Sequence, residues 1–360
     1  MEIVELDVGD AAAAEPWYAE LPADREPPST YWATEEYAAV ARGWSESVLG
    51  PSLELTMEQV KLRAWSTVWK ATAAGESFYF KENCELQSFE AALAVELAAL
   101  VPHHVVPVTA ADPDRGLLLT PDHGPVFGAT VADDLDAWCR VAAEGAALQR
   151  DLLGSVDRLV AAGLTPFTAA DAPAYVEART EQYATLPTTD PRHLPAENAT
   201  AVRDHLPVVR RWAEQVAALG MPLTLNHNDL HENNVFDIDG ELRFFDFGDA
   251  LLTEPLAQLV IPISAVRNRL ECPADDPRLA RVADAALEVW SDLVPAADLR
   301  AALPAALQLG RLGRLESWVR VGAAMTETEL LEWGSLAPAW LMTLLEDSPY
   351  SPERAGAVTD

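Results

Sequence analysis

Two short polar motifs in the second half of the chain carry side chains that could act together on a phosphoryl group. His227, Asp229 and Asn234 form an H-x-D-x-x-x-x-N string, and a D-F-G triplet begins twelve residues later at Asp246. One carboxylate can accept the proton of an attacking hydroxyl, while an amide and a second carboxylate can hold Mg²⁺ against the phosphates of ATP. The order and spacing therefore predict kinase-type phosphoryl transfer.

Chance and a structural role are the alternatives to this interpretation. Loops rich in Asp and Asn usually cap helices or form turns at the protein surface. In a chain of 360 residues, three fixed residues arise by chance with a probability on the order of 0.05. A D-F-G triplet that follows in register lowers this probability by a factor of roughly a hundred, so we favour the catalytic interpretation.

The sequence between the two motifs predicts a β-hairpin that would bring them together. Residues 235–236 and 242–245 are short, mostly apolar runs, and residues 237–240 (Asp-Ile-Asp-Gly) are typical of a tight turn. Asn234 would precede the first strand and Asp246 would follow the second. Because antiparallel pairing brings those two ends together, one Mg²⁺ ion could contact both side chains.

A lysine in the first half of the chain is a candidate for binding ATP phosphates. Lys81 ends the strand-like run 78–81 and is one of three lysines beside twenty-two arginines. Nine residues later Glu90 begins a helical run, and an ion pair between the two would fix the lysine. Two alternatives stay open: a strand-end lysine that extends into solvent, and Glu96, on another face of the same helix, as the partner.

Two further segments are candidates for nucleotide contacts. Residues 63–68 (Arg-Ala-Trp-Ser-Thr-Val) occupy the place of a phosphate-binding loop but contain no glycine. Backbone N–H groups and the hydroxyls of Ser66 and Thr67 would contact phosphate there, although an ordinary hairpin turn fits the pattern equally well. The polar segment 120–124, which contains Asp122, predicts a connector whose backbone meets adenine.

Hydrophobic patterning divides the chain into a strand-rich first part and a helical second part. After an irregular arm over residues 1 to about 30, we predict helices over residues 31–49 and 89–100 and strands at residues 62–72, 77–81, 105–108 and 116–119. From about residue 133 the pattern is mostly helical, with predicted helices at residues 256–268, 278–295, 297–323 and 327–346.

Composition narrows the class of protein and its partners. A net charge of −32 with 49% hydrophobic residues indicates a globular protein and argues against nucleic acid or an anionic membrane as a partner. A cationic substrate would suit this charge, but the acidic residues are spread along the chain and solubility explains them equally well. The absence of a ~20-residue apolar run, the acidic N-terminus and the three unclustered cysteines predict a cytoplasmic location.

With these motifs assembled, the chain resembles the aminoglycoside phosphotransferase family, a small-molecule branch of the protein-kinase-like fold that includes choline and homoserine kinases. The family loop typically reads H-G-D-L-H-x-G-N, and residues 227–234 read His-Asn-Asp-Leu-His-Glu-Asn-Asn. The run Tyr79-Phe80-Lys81 followed by Glu90 is similar to the lysine strand and paired glutamate of a bacterial subgroup. Asn228 and Asn233 replace the usual glycines, which Asn can do because it tolerates unusual backbone angles.

The resemblance implies an α+β, bilobal protein-kinase-like fold with a small antiparallel-sheet N-lobe and a large, mainly helical C-lobe. The corresponding domains are an N-terminal arm and helix (1–52), a nucleotide-binding N-lobe (53–120), a C-lobe with the catalytic hairpin (121–348) and a tail (349–360).

The resemblance also implies a role for each motif residue. Asp229 would be the catalytic base, His231 would hydrogen-bond the transferring phosphoryl group, and His227 would brace the loop. Asn234 and Asp246 would bind Mg²⁺, while Lys81, oriented by Glu90, would hold the ATP phosphates.

The predicted function is therefore an ATP- and Mg²⁺-dependent phosphotransferase whose acceptor is a hydroxyl of a small molecule such as an aminoglycoside, a sugar or an amino alcohol. A nucleotide-binding pseudokinase or scaffold is the alternative from a different class. A protein kinase is a more distant one, because no A-P-E segment follows the D-F-G triplet. Four helical residues could line an acceptor pocket, although such residues are more often solvated or in the core: Asp284, Glu316, Trp318 and Glu329. The oligomeric state is not readable from the sequence.

Overall fold

A five-stranded antiparallel sheet organises the first part of the chain. The structure is a computed structural model that describes residues 26–50, 54–131 and 133–351; most of the predicted arm (1–25) and nearly all of the predicted tail (352–360) lie outside the described residues. The strands are β1 (Leu55–Leu62), β2 (Ser66–Ala73), β3 (Glu76–Asn83), β4 (Ala110–Asp112) and β5 (Leu117–Pro121), in the order β1-β2-β3-β5-β4.

Tight turns set the register of this sheet. Ala74 and Gly75, at φ angles of 54° and 85°, join β2 to β3 at the predicted turn. Leu62 faces Thr67 across β1 and β2, so the strand predicted over residues 62–72 is instead the end of β1, a turn and most of β2. The ordinary hairpin turn, left open as an alternative for residues 63–68, is present at residues 63–65, although these contain no glycine, proline or asparagine to mark it.

The strand predicted at residues 105–108 is wrong. Val105 forms an isolated parallel bridge with Phe244, and the Val106 N–H donates to the Phe244 carbonyl over 3.1 Å. Pro107 has no N–H to donate to a ladder, and β4 begins only at Ala110. The buried valines therefore attach this loop to the second part of the chain and do not extend the sheet.

Two helices, α1 (Pro28–Trp32) and α2 (Glu35–Leu49), pack against the sheet. The Thr34 hydroxyl accepts the Tyr37 N–H and caps α2, which breaks the single helix predicted from residue 31. The side chains of Trp32 and Tyr37 donate hydrogen bonds to the Glu82 carboxylate on β3, over 3.1 Å and 2.6 Å. These bonds fix both helices to the strand that carries Lys81.

The second part is mainly helical, as predicted, and follows α3 (Glu90–Leu100) and the sheet. Strands β6 (Thr224–Asn226) and β9 (Leu251–Thr253) pair with each other, as do β7 (Val235–Ile238) and β8 (Glu241–Phe244). Helices α4 to α13 span Gly128–Val131, Leu135–Asp151, Val156–Ala161, Ala172–Thr185, Ala196–Ala217, Val260–Leu270, Pro277–Leu287, Ala296–Gly322, Glu327–Trp333 and Leu336–Met342.

The predicted C-terminal helices are present with altered ends. The prediction at residues 256–268 begins as a 3₁₀ turn, Pro255–Leu259, and α10 ends at Leu287, before the predicted end at residue 295. The prediction at residues 327–346 is two short helices, α12 and α13, separated at Gly334. A large apolar core joins α5, α8, α10 and α11. Within the described residues, no helix has both the length and the apolar run needed to cross a bilayer.

Candidate active site

The predicted hairpin forms and places the two motifs side by side. Val235 faces Phe244 across β7 and β8, and the turn between them has Asp239 and Gly240 at φ angles of 54° and 86°. Beyond the last pair, the Phe245 N–H donates to the Asn234 carbonyl over 3.2 Å. The backbone at Asn234 is therefore bonded to the residue that precedes Asp246.

Lys81 on β3 reaches across to this hairpin. Its Nζ lies 2.6 Å from a carboxylate oxygen of Glu90 and 2.5 Å from one of Asp246. Burial opposes the charge of Lys81, but the two carboxylates outweigh it and raise the pKa of the lysine above its ordinary value. The strand–helix ion pair predicted from the sequence is thus present, and Glu96 instead bonds Arg158 over 2.6 Å.

Glu90 also connects α3 to the D-F-G segment. Its second carboxylate oxygen accepts the Phe247 N–H over 3.0 Å, and Asn83 at the end of β3 donates to the oxygen that contacts Lys81. Burial raises the pKa of Glu90, and the positive charge of Lys81 opposes that rise. The side chain therefore holds the lysine and the backbone of the D-F-G segment in one arrangement.

Asp229 lies in a strongly charged setting that the sequence did not reveal. The guanidinium of Arg314 on α11 lies 3.1 Å from Asp229 and 2.8 Å from Asp249. Burial acts to raise the pKa of Asp229, but Arg314 and His231 outweigh it and hold that pKa well below the usual range. The carboxylate is therefore ionised at neutral pH, in the protonation state that a proton acceptor needs.

His231 lies beside Asp229. Its Nδ1 accepts the Asn233 N–H, and its Nε2 lies 3.5 Å from an Asp229 carboxylate oxygen. Burial disfavours a charged imidazole, yet the Asp229 carboxylate dominates and raises the pKa of His231. This histidine is placed to donate toward the base or toward a group bound next to it.

His227 links the catalytic loop to the D-F-G segment. It is fully buried, its Nε2–H donates to the Phe245 carbonyl over 2.9 Å, and its ring lies 4.6 Å from that of Phe247. Burial lowers the pKa of His227, so the ring is neutral. The contacts fit the bracing role implied by the resemblance.

Asn228 adopts the left-handed conformation that glycine would take in its place. Its φ angle is 64°, and its side-chain amide donates to the Gly313 carbonyl, to Ser317 Oγ and to the Asp249 carbonyl over 2.8–3.1 Å. Helix α11 approaches this closely because Gly313 has no Cβ, which would overlap Asn228 Oδ1. Asn233 lies in a short 3₁₀ turn with negative φ, so its position does not require glycine.

Thr67 and Asp122 bond residues outside this cluster, and Ser66 faces Asn83 across β2 and β3. Thr67 is fully buried, and its hydroxyl accepts bonds from Gln59 and Trp69 over 3.0 Å. The Asp122 carboxylate bonds Lys70 over 2.8 Å in the connector after β5. The assignment of all three to nucleotide binding stays a prediction.

The donor set near the hairpin fits a hard divalent cation. The Asn234 amide nitrogen donates to the Asp229 carbonyl over 2.9 Å, which leaves its oxygen for a ligand. Burial opposes ionisation of Asp246, but Lys81 lowers the pKa of its carboxyl. Carboxylate and amide oxygens are the ligands that Mg²⁺ accepts.

No family model and no curated relative matches the sequence, but solved structures match the fold over most of the chain. An ethanolamine kinase from Plasmodium vivax superposes with a TM-score of 0.59 at 10% identity, covering 91% of this chain and 96% of that one. The chain has the protein-kinase-like fold. An aminoglycoside 2′-phosphotransferase superposes with a TM-score of 0.55 at 14% identity, covering 87% of this chain and 99% of that one. A choline kinase from Cryptosporidium parvum superposes with a TM-score of 0.54 at 13% identity, covering 86% of this chain and 94% of that one. These matches confirm the predicted α+β, bilobal fold.

Sequence reasoning missed three residues that shape the site. Arg314 contacts Asp249 and the loop of residues 227–234, and buried Gln258 accepts the backbone N–H of His227 over 3.1 Å. Asp249 follows the D-F-G triplet directly and could have been noticed there. Arg314 is one of many arginines on apolar helices, and nothing in its local sequence separates it from the others.

Proposed function

We propose that this protein transfers the γ-phosphoryl group of Mg-ATP to a hydroxyl of a small molecule. The observation that carries this proposal is the convergence of Lys81 on β3, Glu90 on α3 and Asp246 after the hairpin. Ionised Asp229 lies on the adjoining loop, where its carbonyl accepts the Asn234 amide. Such a cluster brings together a lysine that can bind phosphates, oxygen atoms that can bind a cation and a carboxylate that can accept a proton.

Each residue has a separate task in the proposed mechanism. Lys81, oriented by Glu90, binds the ATP phosphates. Asn234 and Asp246 would hold Mg²⁺, which would supply positive charge beside the phosphates when bound. Asp229 accepts the proton of the acceptor hydroxyl and orients its oxygen for attack. His231 donates to the transferring phosphoryl group or to Asp229, and His227 keeps the loop and the D-F-G segment in register. Rate enhancement comes from positioning and electrostatics, without a covalent enzyme intermediate.

Fold and sequence support a small-molecule acceptor over a protein. The matched structures include kinases named for ethanolamine, choline and aminoglycosides, and helices follow the D-F-G segment with no A-P-E motif. Amino alcohols and aminoglycosides are cationic, which a chain of net charge −32 would attract. A reducing cytoplasm would supply the ATP.

Two measurements test the proposal. ADP release in Mg-ATP should occur with at least one class in a panel of aminoglycosides, amino alcohols, sugars, nucleosides and hydroxy acids. Thermal unfolding should shift upward with Mg-ATP and much less with ATP plus chelator. Metal-dependent ATP binding without turnover on any class would favour the pseudokinase alternative, and absence of ATP binding would overturn both.

A further inference from the structure

A large cavity lies between helices of the second part of the chain and the start of α3. It has a volume of about 940 Å³, which is in the range of small-molecule sites. Its walls come from α7, α11, α12 and the start of α3. No residue of the H-x-D-x-x-x-x-N and D-F-G motifs lines it, so the nucleotide site and this cavity are separate spaces.

Helix α11 connects the cavity to the proposed base. Arg314, which contacts Asp229, and Trp318, which lines the cavity, are four residues apart and so lie one turn apart on the same face. Arg320, another lining residue, donates to the Ala250 carbonyl over 3.1 Å, next to the Asp249 that Arg314 holds. A molecule in the cavity could therefore extend toward Asp229.

The lining of the cavity is rich in arginine, unlike the rest of this acidic protein. The chain has 57 acidic and 25 basic residues, yet the described lining contains three arginines, Arg179, Arg192 and Arg320, and only two acids, Glu85 and Glu316. An excess of arginine in so acidic a chain is a local feature that general solubility does not explain.

The buried acid of the lining, Glu316, is already engaged by its neighbours. Glu316 is buried and accepts the Tyr175 hydroxyl over 2.6 Å, while the guanidinium groups of Arg179 and Arg320 lie 3.3 Å and 3.5 Å away. Glu85 is the exposed acid of the lining. Arg179 and Arg320 share the single carboxylate of Glu316, so the positive charge of this wall is only partly neutralised.

The aromatic wall does not form an open cage for a cation. Trp318 and Trp333 are stacked on each other, with centroids 6.2 Å apart and an interplanar angle of 14°, and Trp65 meets both edge-on. These rings give a flat apolar surface beside the arginines. Such a combination suits a molecule with an apolar body and a negative group.

We propose that this cavity binds the phosphate acceptor, and that the acceptor carries an anionic group, a carboxylate or a phosphate, beside its hydroxyl. The inference rests on the proposed function and reverses the cationic acceptor that net charge favours. Arg192 is the best placed of the three to meet the ligand, because its side chain is 32% exposed while Asp190 holds it from one side over 2.7 Å. The acceptor hydroxyl would then point along α11 toward Asp229.

The test uses matched acceptors that differ only in charge. Each skeleton with a hydroxyl is offered as a carboxylate, a phosphate monoester, a neutral carboxamide and an aminomethyl compound, and kcat/KM is measured by ADP release. We expect the carboxylate or the phosphate member to exceed the neutral one about tenfold or more, and comparison of the two anions separates the two sources. Higher kcat/KM for the aminomethyl member would overturn the inference while leaving the phosphotransferase intact.

Arg192→Gln supplies the second readout. This variant should lower kcat/KM about tenfold for the anionic acceptor, mostly by raising KM. The kcat/KM for the neutral acceptor and the KM for ATP should change by less than twofold. Arg203→Gln is the matched control, since Arg203 bonds Glu181 on the surface over 2.8 Å and does not line the cavity. Equal losses for anionic and neutral acceptors in Arg192→Gln would indicate a structural role and overturn the inference.

Thermal-shift titration with the same compounds in Mg-ADP reads the charge preference without turnover. Stabilisation by the anionic members alone, lost in Arg192→Gln, would support an anion site in the cavity even if no acceptor were phosphorylated. In that outcome the phosphotransferase proposal would fail and the anion site would stand. Equal or greater stabilisation by the aminomethyl members would overturn the anion site.

Discussion

The guanidinium of Arg314 lies 3.1 Å from the carboxylate of Asp229, and 2.8 Å from that of Asp249. Arg314 is buried, and its NH1 also donates to the Asn228 carbonyl over 3.2 Å. One side chain from α11 thus fixes both the position and the ionisation of the proposed base. When an acceptor is bound, the positive charge of Arg314 would compete with the acceptor hydroxyl for the Asp229 carboxylate. Arg314 therefore sets how strongly Asp229 attracts a proton.

Arg314→Gln should move the acidic limb of the kcat/KM profile to higher pH. The pKa of Asp229 is now held below its usual range; without the guanidinium, burial remains and raises it. A carboxyl with a lowered pKa stabilises the fold above its unfolded pKa of about 3.9, and this contribution is lost as pH falls through the folded value. Loss of the guanidinium from these two half-buried carboxylates should also lower the free energy of unfolding by about 1 to 3 kcal/mol.

Arg311→Gln is the control for this variant. Arg311 is buried three residues earlier on α11, but it bonds Gln308 and the carbonyls of Thr343 and Asp347. The Arg311→Gln variant should lower the free energy of unfolding without moving the acidic limb of the kcat/KM profile. An unchanged limb in Arg314→Gln, with the fold intact by circular dichroism, would contradict the assigned role of Arg314.

Asp229→Asn should reduce kcat by roughly three orders of magnitude or more, because the proton acceptor is removed. Lys81 and Asp246 keep their contact, so binding of Mg-ATP by calorimetry should stay within a few fold of the wild type. Turnover close to the wild-type rate would show that another group takes the proton.

Glu90→Gln should raise the KM for ATP about tenfold, because Lys81 loses a carboxylate 2.6 Å away. The glutamine oxygen can still accept the Phe247 N–H, so the D-F-G backbone should keep its place. Glu96→Gln, on the same helix but bonded to exposed Arg158, is the control and should change the KM by less than twofold. Similar kinetics for both variants would argue that the Lys81–Glu90 pair does not orient the lysine for ATP.

Gly313→Ala should destabilise the protein by about 1 to 3 kcal/mol. The added Cβ would overlap Asn228 Oδ1, in a loop that has no free space beside α11. Gly322→Ala tests the same substitution at the end of the same helix, where no heavy atom lies within 4 Å, and should leave stability unchanged or slightly higher. Equal denaturation midpoints for the two variants would contradict the close approach of α11 to the catalytic loop.

Local chemistry explains which parts of the site were predictable. The turn at Asp239-Gly240 and the apolar runs on each side dictate the hairpin, so the juxtaposition of Asn234 and Asp246 follows from spacing alone. Lys81 and Glu90 were predictable as a strand and helix pair because both elements have clear periodicity. The failed strand at residues 105–108 had the same local signal, but its valines are buried against Phe244 on another part of the chain.

Of the four pocket candidates on helices, only two line the cavity. Glu316 and Trp318 do, whereas Asp284 bonds Arg300 over 2.6 Å at the surface and Glu329 caps α12. All four look alike in sequence, since each is a polar or aromatic residue on an amphipathic helix. Their positions depend on how α10, α11 and α12 cross, which no short window of sequence specifies.

The sequence by itself determined the chemistry that is written in contiguous residues: the loop from His227 to Asn234, the hairpin, the D-F-G triplet and the lysine strand. Turn propensity and strand pairing act over a few residues, so spacing is enough to predict them. Only the tertiary structure decided that Arg314 would meet Asp229 and that arginines would gather in one cavity of an acidic protein. Those contacts join residues far apart in the chain, and the packing of whole helices brings them together.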